Sequence, residues 1–419
     1  MGKENAMKLK IACISVLVAL LALAVTAQAR IKLATLPVRE RVEIRFDNPG
    51  YTLVEEERIV PLLQGTNKID FSWSNTTIDK GSIQFRTISV RQGDEFRDLR
   101  MTEKPDGGMR SEIRVINVAY PPGENALVWE VYADEACAAK VRVSYLVSNL
   151  TRSFSYRALA DKEEEFLTLK KYLQVRNYSG EEFGESGVWA GFGPKFHKPI
   201  GQQEDIKILM ERFERVPINK TFTFDWYTYG ALNADKPYAS RILMRYELVN
   251  DEDHEMGKFP LQPGKVRIFI EDGRGGEAFL GEDWATLTPL DDKMKLYLGE
   301  ARDVVCTRTI DSNHRTTIRG NLYNQEVVVK YEIENFKDKS LTLRIDEQLN
   351  RLAQDLGCNP HGDVEWERGP KTSEEVTFEY ERGGATPSLL VELPASPEDP
   401  DEEVEKTVIY FHVIMKNMW

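Results

Sequence analysis

Hydrophobic residues recur at every second position along much of this chain, and that period constrains the fold more than any other feature. Val42, Ile44 and Phe46 alternate with Arg41, Glu43 and Arg45, and Ile69, Phe71 and Trp73 repeat the pattern. Val141, Val143, Tyr145 and Val147 do the same, as do Leu167, Leu169, Leu173 and Val175, and then Ile242, Met244, Tyr246 and Leu248. Val327, Val329, Tyr331 and Ile333 follow, and after a polar break come Leu341, Leu343 and Ile345. Successive side chains of a strand point to opposite faces, so this alternation predicts strands with one buried face. The stretch VRVSYLVSNLTRSFSYRA (141–158) reads as a hairpin or a sharply bent strand pair in the core of a β-domain, with Val141, Val143 and Tyr145 buried. Helical signals are few. Residues 202–216 fit a helix with Ile206, Leu209, Met210 and Phe213 on one stripe, or a strand with Ile206, Ile208 and Met210 on one face. Residues 346–357 predict a short helix ended by Gly357. The expected class is all-β, with two or three β-sandwich (Ig-like) domains and very little helix.

A chain of 419 residues is long enough for several domains. Proline and glycine concentrate in 102–125, which reads as a connection or long loop, and 231–239 reads as a second break. These breaks suggest an N-terminal β-rich domain at 30–125, a middle β-sandwich at 126–290 and a C-terminal Ig-like β-sandwich at 291–419. The final stretch, TVIYFHVIMKNMW (407–419), is apolar on both faces. It predicts a strand covered on both sides, paired beside the 327–334 strand.

The first residues speak to the compartment. MGKENAMKLK is basic, IACISVLVALLALAV is an apolar run of 15 residues, and small residues stand at Ala27 and Ala29. This three-part pattern predicts a signal peptide, residues 1–29, cleaved after Ala29, and a periplasmic or secreted protein. The run falls short of the roughly 20 residues a membrane helix needs, and no later stretch approaches that length, so no stable span is expected after cleavage. The net charge is −13, and losing three lysines and one glutamate with residues 1–29 would make it −15. That balance argues against nucleic acid as a partner, since phosphate recognition needs lysine and arginine. Of the four cysteines, three would remain, Cys137, Cys306 and Cys358, and none lies in a CxxC pair. An odd count leaves at least one thiol free; the pair to consider first for a disulfide is Cys306 with Cys358, against the alternative of buried thiols.

Several segments together resemble a known family. They are VSYLVSNLTRSFSYRA (143–158), LTLKKYLQVRNYSGEEFGESGVW (167–189), GKFPLQPGKVRIFIED (257–272), FLGEDW (279–284) and KLYLGEARDVVCTRT (295–309). Their order resembles that of the uncharacterised DUF4139 family of exported bacterial proteins, over roughly residues 130–419. The matching positions are Asn177, Ser179, Gly180 and Glu181 in the first turn, and Leu261, Pro263, Gly264 and Lys265 in the second. Gly281 and Asp283 follow, and then Gly299, Asp303 and Val304. Gln262 departs from the small residue that is commoner between Leu261 and Pro263. The resemblance implies a β-rich exported protein and no established reaction.

The search for chemistry leaves few candidates. None of the five histidines (His197, His254, His314, His361 and His412) lies within four residues of another, so local zinc motifs are absent. Neither a nucleophile elbow nor a phosphate loop occurs. EDGRGGEAF (271–279) reads as a hairpin loop, and NDEDHE (250–255) reads as a solvated turn rather than a calcium loop. Neither a metal nor a cofactor is expected. WAGFGPKFHKPIG (189–201) offers Trp189, Phe192 and Phe196 as an aromatic platform for sugars or peptides, or as side chains packed inward from a strand end. Sequons occur at Asn75, Asn149, Asn177 and Asn219 and carry little meaning in a bacterial protein. The sequence therefore suggests a non-catalytic, binding or structural β-sandwich protein of the cell envelope with an unknown protein or glycan partner. The alternative is a hydrolase of envelope glycan or peptide.

Overall fold

The computed structural model describes residues 34–419 apart from 49, 74, 230–240, 255, 361, 381–383 and 400–401. The expected export segment 1–29, the break at 231–239 and His361 lie outside the described residues. The chain is all-β, built of several sheets with very little helix. It divides into two compact units. Unit 1 consists of the residues up to Arg152 with Val175–Ile206, and unit 2 of Ser153–Gln174 with Lys207–Trp419. This differs from the three-way division expected from composition. Strand Ala126–Ala133 pairs with Gly65–Ser72, across the 125/126 position. Strand Lys293–Ala301 pairs with Ile242–Val249, across 290/291. The proline and glycine of 102–125 mark loops between short strands of one unit, not a domain border.

In unit 1, a four-stranded sheet runs Ala34–Thr35, Gly65–Ser72, Ala126–Ala133, Ile113–Ala119. A seven-stranded sheet centres on Arg41–Arg45, Thr52–Leu62, Cys137–Val147 and Gln84–Gln92. Val141, Val143 and Val147 are wholly buried, with Tyr145 at 1% exposure, as the alternation predicts. The sheets meet through aromatic rings: Trp129 of the first lies 5.0 Å from Phe85 of the second, and Phe71 lies 5.8 Å from Tyr145. The stretch 141–158 is not a paired hairpin. Cys137–Val147 pairs with Thr52–Leu62 and Gln84–Gln92, whereas Leu150–Ala160 belongs to a different, five-stranded sheet. Period two identifies strands, but it does not say which strands become neighbours.

Unit 2 holds most of that five-stranded sheet, a six-stranded sheet and a four-stranded sheet. The six-stranded sheet runs Lys293–Ala301, Ile242–Val249, Asn219–Asp225, Leu341–Asp346, Pro387–Leu393, Thr377–Tyr380. The four-stranded sheet runs Val304–Arg319, Leu322–Asn335, Lys406–Met418, Glu365–Arg368. Their inner faces share one core, where Phe224 meets Tyr331 edge to face at 6.2 Å. The ambiguous 202–216 segment is a strand, Glu204–Pro217; Leu209, which a helical stripe would bury, is exposed. The short helix forms at Leu349–Asp355, burying Leu349, Leu352 and Ala353. Lys406–Met418 pairs with Leu322–Asn335, as expected, and on its other side with Glu365–Arg368. Its two faces are covered unequally: Ile409, Phe411, Val413 and Met415 are buried on one, while on the other His412 is buried, Tyr410 and Ile414 are half-buried and Val408 is 39% exposed.

Candidate functional site

The Thr52–Leu62 strand reads TLVEEERIVPL, and its inward positions are Val54, Glu56, Arg58 and Val60. Two charged groups thus stand where the alternation calls for apolar ones. A carboxylate without solvent must be paired and hydrogen-bonded, and Glu56, wholly buried, is. It accepts from the Tyr145 hydroxyl at 2.6 Å, from Arg39 Nε at 2.8 Å and from Arg58 at 2.6 and 3.1 Å. Arg39 also pairs with Glu181 and donates to the Glu182 carbonyl at 2.8 Å, while Arg58 donates to the Pro37 carbonyl. Burial, and then the Glu56 carboxylate, hold the Tyr145 hydroxyl well above its ordinary pKa, so the phenol stays a donor. A pocket of about 300 Å³ opens beside this network, with Arg39, Arg58, Asp70, Trp73, Tyr145 and Glu181 in its wall.

Of the positions that carry the family resemblance, Glu181 joins this network, and Asn177, Ser179 and Gly180 shape the turn that carries it. Asn177 is wholly buried; its amide donates to the carbonyls of Glu181 and Gly201 at 2.7 and 2.8 Å. It therefore has no room for a glycan, whatever its sequon. Ser179 donates to Asn177 Oδ1 at 2.7 Å. Gly180 has φ +88°, and a Cβ there would stand 2.0 Å from the Asn75 carbonyl oxygen, so only glycine fits. Gly264 meets a similar constraint: in its parallel pairing with Phe154, a Cβ would lie 2.3 Å from the Phe154 carbonyl oxygen. Tyr156 donates to the Gln262 carbonyl at 2.6 Å, which fixes the same segment. Asp283 accepts from the Tyr297 amide at 2.7 Å, and Asp303 pairs with Lys337.

Unit 2 has a second buried network. Arg308 grips Glu347 with two bonds, at 2.9 and 2.6 Å, and Tyr331 donates to the same carboxylate. Glu347 and Tyr331 are wholly buried, and burial, followed by the Glu347 charge, raises the Tyr331 pKa well above its ordinary value.

The aromatic candidates lie on one hairpin of unit 1. Trp189 ends strand Gly184–Trp189, Phe196 begins Phe196–Ile200, and Phe192 lies in the loop between them. All three are half-buried. The Trp189 indole donates to the Gly193 carbonyl at 3.1 Å, and Arg45 lies over its ring at 5.1 Å. The disulfide considered for Cys306 and Cys358 is not formed: both are buried free thiols of one core, and burial pushes the Cys306 thiol up. Cys137 is free as well. His197 and His314 are exposed, His254 pairs with Asp251, and His412 is buried. EDGRGGEAF is a hairpin loop, where Asp272 accepts from the amides of Arg274 and Gly276 at 2.8 and 2.9 Å. Among the described residues, no group of three or more His, Cys, Asp or Glu could hold a metal, and no helix is long and apolar enough to cross a membrane.

Glu56, Arg58, Arg39, Arg308 and Glu347 escaped the sequence reading. A signal for the first two was present, a Glu-x-Arg pair in phase with Val54 and Val60. No family model matches this chain, and no curated protein matches it in sequence.

Proposed function

We propose that this chain is an exported, non-catalytic β-sandwich protein of the cell envelope, akin to the DUF4139 proteins it resembles, that binds a protein or glycan partner or supports an assembly. The observation that carries this reading is the use made of its buried charges. Glu56 and Glu347 are each held by arginine and tyrosine, and their bonds tie separate strands together. A glycan hydrolase works differently: one carboxyl must donate a proton to the leaving group while a second faces the sugar. The order of the family-like segments and the apolar N-terminal run support export.

Fractionation and N-terminal sequencing of the native protein, with a turnover assay on isolated envelope glycan, test this reading. The expected protein starts at Arg30, sits in the periplasmic or secreted fraction and releases no reducing ends. An intact N-terminus in the cytoplasm, or reducing ends released in proportion to added protein, would overturn it.

A further inference from the structure

Unit 2 carries a groove of about 680 Å³ whose charge opposes that of the chain. The chain has a net charge of −13, yet seven cationic side chains line the groove against four carboxylates. Its floor is the outer face of the six-stranded sheet. Thr221 stands opposite Arg245, and Thr223 opposite Arg344, on three adjacent strands, while the intervening Phe222 and Leu343 point into the core. Lys293 and Lys295 continue the row on the neighbouring strand, and Lys337 and Lys339 come from the turn before Leu341.

Three of the four carboxylates in the groove already have partners, and the fourth, Glu163, is exposed at its rim. Glu164 accepts from Lys220 at 2.6 Å and from Tyr246, and Asp346 accepts from Arg344 at 2.8 Å and Ser388 at 2.6 Å. Glu247 is shared between Lys293 at 3.1 Å and Lys295 at 3.8 Å. Among the described residues, Arg245 and Lys339 have no ion pair. Arg245 also adjoins a β-bulge, where pairing with Lys293–Ala301 slips between Met244 and Arg245. Bulges re-aim side chains and recur beside functional sites. Like charges gathered in a cleft repel one another and focus the field on an incoming counter-ion.

We propose that this groove binds a polyanion bearing several phosphate groups. The groove's size falls in the range of small-molecule sites. Its floor and walls present mostly donors: ammonium point charges, the Arg245 fork and the hydroxyls of Thr221, Thr223 and Thr342. A phosphate offers three acceptor oxygens and up to two charges to such a set. Soluble polyphosphates and phosphorylated lipid headgroups share this chemistry. The site does not depend on export or on the absence of catalysis.

Calorimetric titration of the full chain with inorganic tripolyphosphate, beside co-sedimentation with phosphatidylcholine vesicles with and without cardiolipin, tests the proposal. Arg245→Gln with Lys339→Gln breaks no ion pair among the described residues, so its melting temperature should stay at the wild-type value. Saturable, salt-sensitive binding is expected, weakened roughly tenfold or more in this double variant, as the loss of charge-assisted bonds implies. Lys258→Gln with Arg274→Gln, exposed cations outside the groove, should leave binding unchanged. Binding to tripolyphosphate alone identifies a soluble ligand, and a parallel loss on cardiolipin vesicles identifies a headgroup. No saturable binding to either probe, or an equal loss in the control variant, would overturn the proposal.

Discussion

Deleting residues 405–419 is expected to abolish soluble folding of unit 2. The lost strand, Lys406–Met418, is internal to its sheet, bonded to Leu322–Asn335 on one side and Glu365–Arg368 on the other. It contributes Ile409, Phe411, Val413, Met415 and Met418, each at most 2% exposed. At about 1.5–3 kcal/mol for each buried side chain, five of them amount to about 8–15 kcal/mol, as large as the whole stability of a typical domain. Removal also unpairs the backbone of both neighbouring strands. Expression of the truncated chain, followed by circular dichroism and thermal melting, checks this. A soluble product with unchanged spectrum and cooperative melting would show that the strand is dispensable, as a tail awaiting a partner would be.

Trp129→Ala is expected to destabilise unit 1 by about 3–5 kcal/mol, the cost of emptying a buried tryptophan site. Trp129 is 1% exposed, and its ring lies 5.6 Å from Phe71 and 5.0 Å from Phe85. It therefore links the two sheets as well as filling space between them. Urea denaturation should show an early transition for unit 1 while unit 2 keeps its own, because a chain of two units need not unfold in one step. A loss below about 1 kcal/mol would mean that the site collapses readily and that the inter-sheet contact matters little.

The class of the fold was legible because burial and strand geometry share one period. Val327, Val329, Tyr331 and Ile333 are all wholly buried, as their spacing predicts. Partners were less legible. Ser148 and Asn149 look like a hairpin turn, but the chain passes there from one sheet to another, and Asn149 takes φ +61°. Strand neighbours are set by contacts distant in sequence, as when Val143 pairs with Glu56 and Phe85. Asparagine and serine cannot announce such contacts. The charged networks were hidden for a related reason. EEER at 55–58 is a run of charges, a residue type that usually stays in solvent, yet its alternate members Glu56 and Arg58 face inward and neutralise each other. The basic groove draws its cations from strands and turns scattered between Lys220 and Arg344. No local window contains them.

The most direct test of the account is the unfolding free energy of Glu56→Gln beside that of the wild type. The buried charges of unit 1, with Glu181 among their partners, tie separate strands of the scaffold together. Glutamine keeps the shape of the side chain but removes its charge from between Arg39 and Arg58. Breaking a buried ion pair from one side costs about 3–5 kcal/mol, so a loss of that size in unit 1 is predicted. Residues retained for catalysis or binding behave in the opposite way, since replacing a strained functional group commonly leaves a protein as stable or more so. A Glu56→Gln protein that equals or exceeds the wild type in stability would contradict the scaffold account.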